Sequence, residues 1–482
     1  MKAITNYVSL FFAALILVLV KPALGQEESA STQSGTSITV NKNRYRYTSS
    51  SNGMEFSIEM RGKIEVTDDD RDIKTISDDG YLEVSKTVFG SKRTIVIESQ
   101  GGGKMKKEYY EGRTLSSWDN GKAWLSEILP EIVRSTGISA ESRVNRFYKQ
   151  GGTAAVLAEI NRIENDAVRI QYANLLMKKP LQTSEYTSII KSVTGHVDSD
   201  HYKSEFLKTN INKFLQSKES TTAVLAATQA IDSDHYKTLV IKEALSGDAV
   251  APENVAVILQ TAGKMDSDHY ITEVLTYLLN KSDFSDATLA ELINTTKTIE
   301  SDHYKTVVLT KALDKPNISK AAYQRLVESA KDIESDHYLT QVINHMLEKQ
   351  LTAETLSGVV TVLGTIESDH YRADVLSTLL RKQGLTDSQF TSVLNLCGSM
   401  GSDHYKSQVL QKALSGSPSD AKTITILQTA KSIESDHYLT EVLLAIAPKI
   451  KTSNSALKDA YRETAKSISS ETYYGKALRA ID

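Results

Sequence analysis

Eight copies of one tetrapeptide carry, in fixed order, the residue types most used for proton transfer and metal binding. Ser-Asp-His-Tyr begins at Ser199, Ser233, Ser267, Ser301, Ser335, Ser368, Ser402 and Ser435. The reactive triplets are therefore Asp200, His201 and Tyr202; Asp234, His235 and Tyr236; Asp268, His269 and Tyr270; Asp302, His303 and Tyr304; Asp336, His337 and Tyr338; Asp369, His370 and Tyr371; Asp403, His404 and Tyr405; and Asp436, His437 and Tyr438. An Asp beside a His suggests general acid–base or metal chemistry. Helical geometry opposes both readings within a copy, because neighbouring residues project about 100° apart. Distance opposes them between copies, since packed helices lie about 8–10 Å apart and zinc ligands must come within about 2 Å of one ion. An enzyme needs one constellation, whereas eight near-identical ones suit a structural ladder or a periodic ligand. The expectation is a buried Asp/His/Tyr hydrogen-bond ladder with no catalytic residue, metal or cofactor. The alternative is a sensor in which the repeated Asp-His pairs answer to metal or to pH, histidine being the side chain that changes charge between about pH 5 and 8.

Other reactive residues lead no further. Cys397 is the single cysteine, and by register it aligns with Leu363, a core position, so a buried structural thiol is expected. One thiol excludes an internal disulfide and a CxxC redox pair. Gly101 to Gly103 lacks the Lys-Ser/Thr of a phosphate loop, and no Gly-x-Ser-x-Gly elbow occurs. Asp68, Asp70 and Asp72 alternate as in a calcium loop, but Ile73 and Asp79 stand where glycine and a bidentate glutamate are needed. A solvated acidic turn is the expectation there.

The tetrapeptides recur at steps of 34, 34, 34, 34, 33, 34 and 33 residues, with degenerate copies at Asn165-Asp166 and Ser470-Glu471, which makes ten units of a helical solenoid. Before the motif, Leu356, Val359, Val360, Leu363 and Ile366 mark one face of a helix; after it, Tyr371, Val375, Leu376, Leu379 and Leu380 mark another. The motif thus opens the second helix of each unit, with Ser expected to cap the orphan backbone N–H groups through its hydroxyl and Asp to complement the helix dipole. Thr386 to Gln389 reads as a capping box opening a first helix, and Ser417-Pro418 as an N-cap followed by Pro.

Upstream, residues 38–117 alternate with period two, notably at Met54, Phe56, Ile58 and Met60, and turn chemistry separates about six antiparallel strands. Residues 118–150 switch to helical period, and 151–482 hold the repeats. Residues 1–25 read as a signal peptide: Lys2, an apolar run from Val8 to Val20, then Ala23-Leu24-Gly25. Residues 26–37 read as a flexible leader. The chain has 56 basic and 60 acidic side chains, for a net charge of −4; cleavage removes Lys2 and Lys21 and leaves −6. Nothing in that balance favours nucleic acid. No spanning segment follows the signal, so the mature chain is expected to be periplasmic or secreted, in an oligomeric state the sequence does not set.

Comparing the copies separates scaffold from specificity. The residue after the motif Tyr is Lys203, Lys237, Ile271, Lys305, Leu339, Arg372, Lys406 or Leu439. Such variation suggests surface adapted to a protein or peptide partner, with Ile271, Leu339 and Leu439 as the apolar contacts. Three residues after Tyr stand Glu205, Leu239, Glu273, Val307, Gln341, Asp374, Gln408 and Glu441.

In period and helix pairing the tandem array resembles HEAT-like and armadillo-like α-solenoids. The segment RGKIEVTDDDRDIKTISDDGYLEV followed by SD-initiated helical repeats resembles the extracytoplasmic region of some bacterial membrane-embedded regulatory metallopeptidases and their standalone exported relatives. HExxH and transmembrane helices are missing, so protease activity does not carry over. The resemblance implies a non-catalytic protein-binding or scaffolding part of the cell envelope.

Overall fold

Alternating side chains become strands where one face can be covered. The computed structural model describes residues 28–32, 36–41, 44–51, 54–246, 252–281, 285–316, 318–349, 351–382 and 384–482. The expected signal segment, 1–25, lies outside these residues, as do Gln26, Glu27 and residues 33–35 of the expected leader.

Ten strands are described: β1 Glu28–Thr32, β2 Thr36–Asn41, β3 Arg44–Ser51, β4 Met54–Arg61, β5 Ile64–Val66, β6 Ile73–Ile76, β7 Tyr81–Val88, β8 Ser91–Ser99, β9 Met105–Glu111 and β10 Thr114–Ser116. Eight form one antiparallel sheet in the order β1-β2-β3-β4-β7-β8-β9-β10, while β5 and β6 make a separate hairpin. The sheet is larger than the sequence pattern suggests. β3 alternates arginine with tyrosine and buries Tyr45 and Tyr47, a pattern with no aliphatic residue in it. β1 falls in the span read as leader and pairs with β2 from Glu28↔Val40 to Thr32↔Thr36; an edge strand needs a backbone ladder on one side only and can be wholly polar.

By packing, the chain divides into two bodies, Met1–Ala244 and Leu245–Asp482. In the first, helix α1, Trp118–Thr136, covers the sheet. Trp124, Leu125, Ile128, Leu129, Ile132 and Val133 are all buried, as the periodicity predicts, and the helix continues through Pro130. Trp124 meets Tyr109 of β9 at 5.9 Å between ring centroids. Gly121 permits this approach, because a Cβ there would lie 2.5 Å from that of Tyr109. Helix α2, Ala140–Ile160, bends at Gly151-Gly152, where Gly152 takes φ 61° and ψ −152°, a conformation essentially reserved for glycine.

The bend opens the repeats. In each unit a helix A is followed by a helix B whose first residue is the motif Asp, or Glu471 in the last unit. The first body holds the end of α2 with Asp166–Leu176, Thr183–His196 with Asp200–Thr209, and Lys218–Gln229 with Asp234–Ala244. The second holds Pro252–Ala262 with Asp268–Lys281, Asp286–Thr295 with Asp302–Leu313, Lys320–Ala330 with Asp336–Met346, Ala353–Leu363 with Asp369–Lys382, Asp387–Gly398 with Asp403–Leu414, Asp420–Ala430 with Asp436–Lys451, and Ser455–Ala465 with Glu471–Arg479. Within each body A packs on A and B on B of the adjoining unit. This is the mainly α solenoid with an N-terminal β domain that the period implies, and the described residues hold ten units. A helices open on side-chain caps such as Ser285, Ser319 and Thr352, and Thr386 with Gln389 forms the expected capping box. Ser417 is not a cap: it takes a left-handed φ of 49°, and the next helix is capped by Ser419, whose hydroxyl accepts from Lys422 N.

Candidate functional site

The motif divides its four residues between stacking the units and lining their surface. Ser199, Ser301, Ser335, Ser402 and Ser435 occupy the N-cap position of helix B with extended backbone angles, for example φ −75° and ψ 117° at Ser335, but their hydroxyls make no capping bond. The expected serine cap is replaced by a bond between units. Asp336 Oδ2 accepts from Ser368 N at 2.7 Å and its Oδ1 from Glu367 N at 3.2 Å. The same link joins Asp166 to Ser199, Asp200 to Ser233, Asp268 to Ser301, Asp302 to Ser335, Asp369 to Ser402, Asp403 to Ser435 and Asp436 to Ser470. Asp166 and Ser470 belong to the degenerate copies, so the ladder includes them. Each carboxylate thus supplies the acceptor for orphan donors at the start of the next helix B, where the helix dipole also favours negative charge.

Histidine takes no part in that ladder, and the expectation of a buried one is corrected here. All eight motif histidines are exposed, while the motif Asp and Tyr residues are half-buried. His201 and His437 keep 57% and 55% of their side-chain surface in solvent. Position explains this: Asp, His and Tyr occupy successive places on the helix, so when Asp turns toward the next unit, His turns out. The rings instead touch one another. In the second body His303 lies 5.1 Å from Tyr304 and 5.6 Å from Tyr338 of the next unit. His269, His337, His370, His404 and His437 repeat the arrangement, the last with Tyr473 at 6.1 Å. Imidazole and phenol alternate along the body. In the first body His201 bridges Tyr202 and Tyr236 in the same way.

The residue four places after each histidine is variable and sets what the ring faces. Gln341 Nε2 lies 2.8 Å from His337 Nε2, which therefore accepts and leaves Nδ1 toward Tyr371 Oη at 3.4 Å. Gln408 repeats the contact on His404 at 3.0 Å, and Glu441 faces His437 at 3.4 Å. A second feature escaped the sequence reading: Asp198, Asp232, Asp266, Glu300, Glu334, Glu367 and Glu434, each directly before a motif serine, are all exposed. Comparison of the copies would have revealed it, since Gly401 is the one exception.

Ile271, Leu339 and Leu439 are not partner contacts. They are 1%, 2% and 1% exposed and belong to the core. In other units the same place holds a cation that turns inward: Lys406 is 6% exposed, and its ammonium donates to Ser432 O at 2.8 Å and Asp403 Oδ1 at 3.1 Å. Lys305 donates to Asp332 O at 2.9 Å, and Arg372 Nε to Ile366 O at 2.9 Å. The variation reflects two ways to fill the space under the A–B turn, an aliphatic chain or a long stem tipped with a carbonyl-bound cation.

The acidic turn after β5 is solvated at Asp68, Asp69 and Arg71 as expected, but not at Asp70. Asp70, with a left-handed φ of 57°, is buried and accepts from Arg143 Nη2 and Arg146 Nη2, each at 2.9 Å. Asp72 pairs with Lys107 at 2.8 Å, and Asp68 is 83% exposed with Lys74 at 3.8 Å. Arg143 is fully buried and also donates to Glu159 Oε1 at 2.7 Å and to the Tyr172 hydroxyl. Ser139 completes the dock: its hydroxyl donates to Ile64 O and accepts from Val66 N. The cluster fastens the hairpin to the first repeat. Cys397 is fully buried, as expected; burial pushes its thiol up to about 12, so it is no nucleophile at neutral pH.

Among the described residues no three His, Cys, Asp or Glu side chains converge to hold a metal ion, and no helix is long and apolar enough to cross a membrane. No protein-family model matches the chain, and no curated protein matches it.

Proposed function

We propose that the chain is a non-catalytic repeat protein that binds a protein partner along the starts of its B helices and acts as a scaffold in the cell envelope. The observation that carries this reading is the row of exposed histidines packed on half-buried tyrosines, repeated unit by unit and flanked by a position that differs from unit to unit. A solenoid offers such a surface to ligands that extend over several units. The motif Asp residues are occupied with stacking, through their links to backbone N–H groups, whereas the motif histidines face solvent. The resemblance to HEAT-like and armadillo-like solenoids and to the exported relatives of membrane regulatory peptidases belongs to this reading, as does export through residues 1–25.

The test is capture from native envelope extract by the immobilised mature chain, against a variant carrying Gln341→Lys, Asp374→Lys and Gln408→Lys. These three side chains are exposed, so the variant should keep the helical circular dichroism of the natural chain. A protein retained by the natural chain and lost by the variant is the expected result. Identical capture by both would overturn the assignment of this face.

A further inference from the structure

The chemistry of the row in the second body points to one kind of occupant. Its rings are held in place: each imidazole packs between the tyrosine of its own unit and that of the next, with interplanar angles from 55° to 66°. Three residues before His269, His303, His337, His370 and His437 stand Asp266, Glu300, Glu334, Glu367 and Glu434, all exposed. Glu300, Glu334, Glu367 and Glu434 form no ion pair among the described residues. The exposed Lys297, Lys331 and Lys431, three residues before Glu300, Glu334 and Glu434, form no ion pair with them, Lys331 meeting Glu328 instead, and Lys305, Arg372 and Lys406 are turned onto backbone carbonyls beneath the A–B turns. Electron-rich ring faces beside carboxylates favour a cation, which gains from the ring quadrupole and from charge-assisted hydrogen bonds together. A neutral polymer would leave the carboxylates unused.

The period narrows the ligand further. Adjoining B helices lie about 8–10 Å apart, and an extended chain advances about 3.3–3.6 Å per residue, so about three residues of ligand pass each unit. We propose that the His–Tyr row of the second body binds an extended basic peptide segment with a lysine or arginine at every third residue. The inference rests on the reading of the chain as a protein binder and adds the charge and register of what it binds. Several weak contacts in register add up through effective concentration, and the preordered rings lower the entropic cost of each.

The experiment is fluorescence-anisotropy titration of the mature chain with labelled peptides of about 18 residues, enough for about six units. One peptide carries lysine at every third position; one has the same composition with the lysines clustered; one has glutamate in place of lysine; a β-linked oligosaccharide of similar length completes the set. The period-three lysine peptide is expected to bind at least about ten-fold tighter than the clustered one, as multivalent register requires, and the glutamate peptide not at all. Glu300→Gln, Glu334→Gln and Glu367→Gln together should weaken it about ten-fold, and so should His303→Ala, His337→Ala and His370→Ala together, while the helical signal stays unchanged. Equal affinity for the two lysine peptides, indifference to the glutamine triple variant, or preference for the oligosaccharide would each overturn the proposal. If the glutamine variant still captures the envelope partner and no peptide binds, the protein-binding reading survives and this one falls. If the lysine peptide binds in register and no envelope protein is captured, this one stands and the envelope assignment falls.

Discussion

Asp336 and His337 are neighbours in sequence and do separate work. The carboxylate holds two backbone N–H groups of the next unit, whereas the imidazole lies in solvent against two tyrosines. Asp336→Ala leaves Glu367 N and Ser368 N without their acceptor and should cost about 2 kcal/mol, the scale of hydrogen bonds to a charged group. His337→Ala should cost only about 0.5 kcal/mol, as exposed substitutions do. Urea midpoints of the two variants measure the contrast, and equal losses would show that imidazole and carboxylate share the structural role. Cys397 gives a second test at this scale. Burial raises its thiol from an ordinary 9.0 to about 12, so above about pH 9 the unfolded chain releases a proton that the folded chain retains. Stability contributed by the neutral buried thiol is therefore complete below pH 9 and declines as the pH rises toward 12. Relative to Cys397→Ala, which lacks this proton, the natural chain should lose about 2–3 kcal/mol of its advantage between about pH 8 and pH 11. Parallel stability curves for the two proteins over that interval would contradict the burial.

At the scale of elements, the dock between hairpin and repeats depends on charges removed from water. Asp70→Ala leaves Arg143 in a fully buried site and should cost about 3–5 kcal/mol, whereas adding Arg143→Met should recover part of the loss. Trp118 and Trp124 lie in α1 of the same body, so their fluorescence on thermal unfolding reads both variants. Calcium should not shift the transition, because the carboxylates of the turn already meet arginine, lysine, hydroxyl or backbone donors. The elements differ in how far they could be read from sequence. Helices A and B were legible because Leu356, Val359 and Leu363 repeat one apolar face in unit after unit. β1 and β3 were not, because Glu28–Thr32 needs no apolar face at a sheet edge and Tyr45 and Tyr47 fill the core in place of aliphatics. The dock was illegible for another reason: Asp70 and Arg143 are 73 residues apart, and composition cannot reveal which acid of an acidic turn will be buried. The candidate surface was half legible. The motif located it, but an alternation of lysine with leucine after the tyrosine reads as solvent contact, although both residues point inward.

Over the whole chain, units that interlock through one recurring bond should be removable as units. Each unit contacts only its neighbours, so the stability of a solenoid is approximately a sum of unit and interface terms. Deleting residues 335–367 joins Glu334 to Ser368. The carboxylate of Asp302, which now accepts from Glu334 N and Ser335 N, would then meet Glu334 N and Ser368 N in the same geometry. The helices brought together are again B on B and A on A, with the motif in register. This variant should fold with a helical signal reduced by two helices and a single cooperative transition for the second body. Removing about half that length instead would set an A helix where a B helix must dock, take the motif serine away from Asp302, and expose the apolar face of one helix. Circular dichroism and denaturant titration of the two deletions distinguish the cases. If both unfold equally, the ladder does not set the register; if only the half-unit deletion does, the carboxylate-to-backbone link is what fixes the spacing at which every histidine and tyrosine of the row is presented.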